Sequence, residues 1–134
     1  MQETKMNIII FDNSIEVRTM IQRNLLQMKE PLNIVLAENM LAVNEAICKI
    51  KFDLAILDMD KLDGLFSQFI NTAQNTNPDI VIILLSYYPS QKIFEKFRNK
   101  GADYCFDKAT EFEKLLNKID ALLYEQSQLK KIAR

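Results

Sequence analysis

Short apolar runs rich in β-branched residues alternate along the chain with stretches of helical periodicity, and this alternation confines it to one fold class. Extended segments are expected near residues 7–11, 33–37, 53–57, 80–85 and 104–106, each bounded by polar residues. After the first, Val17, Ile21, Leu25 and Met28 form one stripe of a helix opened by Ser14. Leu41, Val43, Ala46, Ile47 and Ile50 mark a second helix, opened by Asn39. A third carries Leu65, Phe66, Phe69, Ile70 and Ala73 and ends at Asn77-Pro78. Ile93, Phe94 and Phe97 mark a fourth, capped by Ser90 and stopped at Gly101. In the fifth, Thr110 and Glu113 are spaced as a capping box around the stripe Phe112, Leu115, Leu116, Ile119, Leu122 and Leu123. Strand–helix units in this series predict an α/β fold, a doubly wound five-stranded parallel sheet with helices on both faces.

Composition narrows the function classes. A chain of 134 residues is expected to form one domain, residues 1–124, with 125–134 as a C-terminal tail or the start of a linker. Its net charge of −1 provides no general attraction to nucleic acid or an anionic membrane. The apolar run at residues 80–85 is far too short to span a bilayer, and no secretory signal is visible, so neither a nucleic-acid nor a membrane partner is expected. Histidine is absent, which excludes His-based triads, His-ligated zinc and a phosphohistidine within the chain. Two glycines, Gly64 and Gly101, are too few for a glycine-rich phosphate loop. Cys48 and Cys105, far apart in sequence, are expected to be buried free thiols of a cytoplasmic protein.

Four polar residues each sit at the C-terminal end of an apolar run: Asp12, Asp58, Ser86 and Lys108. In an open parallel sheet the carboxyl ends of the strands share one edge, and ligands bind beside it. Two carboxylates, a hydroxyl and an ammonium converging there suit a phosphoryl group and a divalent metal. Each residue alone would pass for a turn or cap residue; the set carries the reading.

At these residues the chain resembles the receiver domain of two-component response regulators. The resemblance runs from about Met6 to Leu123 and rests on Phe11-Asp12-Asn13, Leu57-Asp58, Asp63-Gly64-Leu65, Ser86, and Gly101-Ala102-Asp103 leading to Lys108. It implies a flavodoxin-like strand order of 2-1-3-4-5. It also implies that Asp58 accepts a phosphoryl group from a partner histidine kinase or phosphotransfer protein. In that scheme Asp12, Asn13, Asp58 and Asp60 are the candidate Mg²⁺ ligands, while Ser86 and Lys108 receive the phosphoryl group. The domain would assist its own phosphorylation and dephosphorylation without being a conventional enzyme. Its output face would lie on the fourth and fifth helices and the strand between them, where Phe94, Phe97, Tyr104 and Phe106 are available to a downstream protein or a second copy.

The chain also departs from the family's pattern. Asn13 replaces a second acid, so Mg²⁺ binding is expected to be weaker. The loop after Asp58 is shorter than usual, and Asp60 within it either adds charge near the cation or faces solvent. Tyr87, with Tyr88 beside it, stands where a small residue is usual and would narrow access to Asp58. Cys105 replaces an aromatic residue that normally changes rotamer, with Tyr104 and Phe106 pointing to the opposite face of the strand. Asn13, the short loop and Tyr87 favour an alternative: a degenerate pseudo-receiver that binds partners without phosphorylation. A flavodoxin-like cofactor binder is a further rival, disfavoured because no phosphate loop follows the first strand.

Overall fold

Side-chain alternation along the central strands divides the core into two layers. In the computed structural model, which describes residues 5–62 and 64–132, the strands are β1 (Met6–Phe11), β2 (Leu32–Ala37), β3 (Leu54–Asp58), β4 (Val81–Ser86) and β5 (Tyr104–Asp107). All pair in parallel in the order β2-β1-β3-β4-β5, the order expected. The helices are α1 (Ile15–Leu25), α2 (Met40–Lys49), α3 (Phe66–Thr76), α4 (Gln91–Arg98) and α5 (Phe112–Ile132). Asp63 of the Asp63-Gly64-Leu65 motif lies outside the described residues.

Ile8, Ile10, Ile56, Ile83 and Leu85 face α1 and α5, where Val17, Ile21, Leu115 and Ile119 meet them. The intervening residues Ile9, Phe11, Leu57, Ile82 and Leu84 face the other layer, which holds Val43 and Ile47 of α2 and Phe66 and Phe69 of α3. Both faces of β3 are therefore covered, which is why all five of its residues are buried and it reads as a continuous apolar run. Phe66 packs edge-on to both Phe69 and Phe97, with ring centroids 6.0 and 5.1 Å away, and so ties α4 to α3.

Local capping follows the expectations at three helices. Ser14 accepts from Val17 N, Asn39 from Ala42 N and Ser90 from Ile93 N, each satisfying an amide of the first turn. Gly101 sits at φ +128°, a conformation that L side chains rarely adopt, and it closes the turn after α4. The fifth helix differs. It starts at Phe112, and no Thr110–Glu113 capping box forms; instead Asp107 Oδ1 accepts from Ala109 N and Thr110 N, and Glu111 Oε1 accepts from Asp107 N. The strand-ending Asp107 carboxylate takes the turn amides, and Glu111, not Glu113, reaches back to a backbone amide.

Three further expectations are corrected. Leu41 is 72% exposed: Val43 and Ile47 face the core as expected, but the position that shares their stripe, three residues before Val43 and seven before Ile47, is Met40. Leu65 precedes α3 and is partly exposed. Cys48 lies on the outer face of α2 and is exposed, and Cys105 on the edge strand is only half-buried.

Helix α5 runs unbroken past residue 124. Its last turns are held to the amino end of the sheet: Gln126 Nε2 donates to Asp53 O at 3.0 Å, and Lys130 Nζ donates to Asp53 Oδ2 at 2.9 Å. Among the described residues, no helix is long and apolar enough to cross a membrane.

Candidate functional site

Strand register brings the four sequence candidates together. Phe11 pairs with Leu57, so Asp12 leaves β1 level with Asp58 at the end of β3. Asp58 pairs with Leu85, which puts Ser86 one step further along, and Ser86 pairs with Asp107, which puts Lys108 one step beyond that. The Lys108 amide also donates to the Ser86 carbonyl at 2.9 Å. Four sequence-distant residues thus meet at the carboxyl edge of the sheet.

Lys108 Nζ lies 2.6 Å from Asp12 Oδ2 and 3.2 Å from Asp58 Oδ2, with all three side chains at most 5% exposed. The remaining carboxylate oxygens are engaged by backbone amides: Asp12 Oδ1 accepts from Ser14 N, and Asp58 Oδ1 from Asp60 N. Two acids share one base, and the electrostatics reflect this. Burial, and then the charge of Asp12, push the Asp58 carboxyl above its ordinary range against the opposing pull of Lys108. Burial also works against the Lys108 ammonium, but its contacts with Asp12 and Asp58 outweigh that and hold its pKa above the usual lysine value.

The remaining candidates occupy different places. Asp60 lies on the 3₁₀ turn Met59–Lys61, and its Oδ1 accepts the Ser86 hydroxyl at 2.8 Å. Asn13 is exposed and lines a surface depression with Leu41 and Lys61, beside the buried pair and not within it. Tyr87 is half-exposed with its ring centroid 5.0 Å from Lys108 Nζ, a cation–π contact, while Tyr88 is 91% exposed. Cys105 packs toward α4 while Tyr104 and Phe106 face α1 and α5, as strand alternation requires. Burial pushes the Cys105 thiol up to about 11, with Glu111, Asp60 and Asp107 adding to the shift.

Sequence reasoning missed Arg18, whose Nη1 donates to the Asp12 carbonyl at 2.6 Å and braces the turn that carries Asp12. A basic residue about one turn into a helix that follows a strand-ending acid was the available signal. The Asp60–Ser86 bond was also missed, although the adjacency of β3 and β4 makes it reachable.

The donor set suits a hard divalent cation in part. Asp12 Oδ2 is buried and has no aligned hydrogen-bond donor, so beyond its ion pair with Lys108 it keeps acceptor capacity. Two carboxylates with water completing the shell is a common way to hold Mg²⁺. Among the described residues, no three acidic or cysteine side chains gather closely enough to hold a metal ion by themselves.

The fold is widely shared. A response regulator receiver domain profile matches residues 8–120. No curated protein sequence matches. A two-component response regulator from Clostridium difficile superposes with a TM-score of 0.76 at 22% identity, over 91% of this chain and 98% of that one. A CheY-like response regulator receiver domain protein from Methanospirillum hungatei superposes with a TM-score of 0.75 at 23% identity, over 93% and 98%. A response regulator from Thermotoga maritima gives 0.74 at 18%, over 90% and 99%. Identities this low speak for the fold, while the family profile spans most of the chain. With the fold, the strand order and this match in agreement, the chain belongs to the response regulator receiver domain family.

Proposed function

We propose that this receiver domain accepts a phosphoryl group on Asp58 from a phosphohistidine of a partner kinase or phosphotransfer protein. The observation that carries this reading is the Asp12–Lys108–Asp58 cluster, a buried ammonium between two strand-end carboxylates. A structural core has little use for two acids competing for one base, whereas groups with perturbed titration clustered at a ligand-binding edge mark functional sites.

An Asp58 oxygen forms the new bond to phosphorus, and the P–N bond to the donor imidazole breaks, its electron pair leaving on nitrogen. The protein's work is positioning and charge neutralisation. Lys108, already within 3.2 Å of Asp58, would transfer its interaction to the phosphoryl oxygens. An ammonium about 4 Å from such an oxygen is worth roughly 4 kcal/mol at an effective dielectric near 20, before desolvation. Ser86 would donate its hydroxyl to a phosphoryl oxygen. Asp12 and Asp58 would hold Mg²⁺, which when bound supplies positive charge against the incoming phosphoryl group. Asn13, exposed on the rim, would add at most a neutral carbonyl oxygen.

The output surface in this reading is the face of α4, β5 and α5. Its aromatics are half-buried, Phe94 and Phe97 against one core layer and Tyr104 and Phe106 against the other, so a shift there would repack the interior. The free thiols Cys48 and Cys105 accord with a reducing, cytoplasmic setting.

The test is intact-protein mass after incubation with a small-molecule phosphodonor, with and without Mg²⁺. Gain of one phosphoryl group that needs Mg²⁺ and is lost in Asp58→Ala is the expected result. Failure of the wild type to be labelled by either the small donor or a histidine kinase would overturn the reading.

A further inference from the structure

Ser86 is fully buried and its hydroxyl is already committed. It donates to Asp60 Oδ1 at 2.8 Å and accepts from Tyr88 N at 3.2 Å. Asp60 in turn gives its own amide to Asp58 Oδ1 at 3.1 Å. One chain of hydrogen bonds therefore runs from the phosphoacceptor through Asp60 and Ser86 to the loop between β4 and α4. A serine hydroxyl has a single donor proton. It serves the Asp60 carboxylate or a phosphoryl oxygen on Asp58, but not both.

Resting on the phosphoacceptor reading above, we propose that Asp60 is a positioning residue that acts as an internal competitor of the phosphoryl group, holding the Ser86 hydroxyl away from Asp58 until phosphorylation displaces it. The bond is charge-assisted, so the resting orientation is well held. Phosphorylation replaces the singly charged Asp58 carboxylate, which accepts the Asp60 amide, with an acyl phosphate carrying roughly one and a half to two negative charges on its phosphoryl oxygens. Repulsion then drives the Asp60 carboxylate outward toward solvent, where the side chain is already exposed. Ser86 turns to the phosphoryl group, and the Tyr88 amide loses its acceptor. The release reaches α4 through its cap at Ser90, two residues beyond Tyr88. Asp60 thus makes phosphorylation and rearrangement of the β4–α4 loop a single exchange of one proton donor.

The experiment compares initial rates of phosphorylation by a small acyl phosphate with Mg²⁺, read by intact mass. The proteins are the wild type, Asp60→Asn, Asp60→Ala, Ser86→Ala and the Asp60→Ala/Ser86→Ala double variant, with the Tyr88 amide followed by ¹⁵N NMR. Removing one charge-assisted competitor is expected to speed labelling about tenfold in Asp60→Ala, with Asp60→Asn between it and the wild type. Without Ser86, Asp60→Ala should bring no such gain. The Tyr88 resonance of Asp60→Ala should also move toward its phosphorylated position. An equal gain in the Ser86→Ala background would reduce Asp60 to a general charge effect and overturn the proposal, as would no gain at all. If the wild type is labelled and the Asp60 variants match it, the competitor fails while the phosphoacceptor stands. If no protein in the series is labelled, the phosphoacceptor reading fails and the competitor falls with it.

Discussion

Lys108 Nζ stands 2.6 Å from Asp12 Oδ2, with both side chains almost wholly shielded from water, at 5% and 1% exposure. The lysine is thus paired before any phosphoryl group arrives, and more closely with Asp12 than with Asp58. Removing one partner of a buried pair strands the other charge. Lys108→Met leaves two facing carboxylates and is expected to cost about 3 kcal/mol near neutral pH. The cost should shrink as pH is lowered and the Asp58 carboxyl, held above its ordinary range by burial and by Asp12, takes up its proton. Urea unfolding at neutral and at acidic pH checks this; an equal loss at both would mean that lost packing, not stranded charge, dominates.

Asp58→Asn is expected to stabilise the fold. Asp58 has its pKa raised above 3.8 by burial and by Asp12, so the folded state binds its proton more readily than the unfolded chain does. Its contribution to stability is therefore lost as pH rises from 3.8 through the folded-state value, and the penalty is fully present at neutral pH. Replacing the acid with an amide removes that penalty and leaves Lys108 with Asp12 alone. The gain should be on the order of 1 kcal/mol, or a few degrees in Tm, and should fade as pH is lowered toward 3.8. Thermal melts across that range decide it.

The two thiols should differ in reactivity. Cys48 is exposed, whereas the Cys105 thiol is held at about 11 against an ordinary 9.0, which leaves it a roughly hundredfold smaller thiolate fraction at neutral pH. Iodoacetamide should add once, at Cys48, well before Cys105 reacts, and the Cys105 rate should keep climbing with pH toward about 11. Peptide mapping of timed samples reads both rates.

Lys130→Ala should loosen the end of α5 without unfolding the domain. Its ammonium holds Asp53, which is 7% exposed and keeps a second partner in the Asn7 amide. Since Lys130 is itself about a third exposed, the global loss should be near 1 kcal/mol. Hydrogen exchange at residues 126–132 should accelerate while that of β3 stays slow; no change there would mean that the helix end is held by packing alone.

The alternation of strands and helices and the caps at Ser14, Asn39 and Ser90 were legible in the amino-acid order alone. These depend on side-chain periods and on hydrogen bonds spanning three residues, interactions a chain segment makes with itself. The four site residues were legible for a related reason: each ends an apolar run, and a parallel sheet collects such ends on one edge. How they pair depends on contacts between distant segments. That Lys108 sits nearer Asp12 than Asp58, and that Ser86 donates to Asp60, follows from strand order and register between segments 26 to 96 residues apart. Leu41 was read into the second helix's stripe, but it lies about 100° from Met40, and Met40 is the position in phase with the buried Val43 and Ile47. Past residue 124, α5 meets the sheet through Gln126 and Lys130, which both bond Asp53, more than 70 residues away in sequence. Local chemistry sets where elements begin; long-range contacts set what their side chains touch, and the site is made of such contacts.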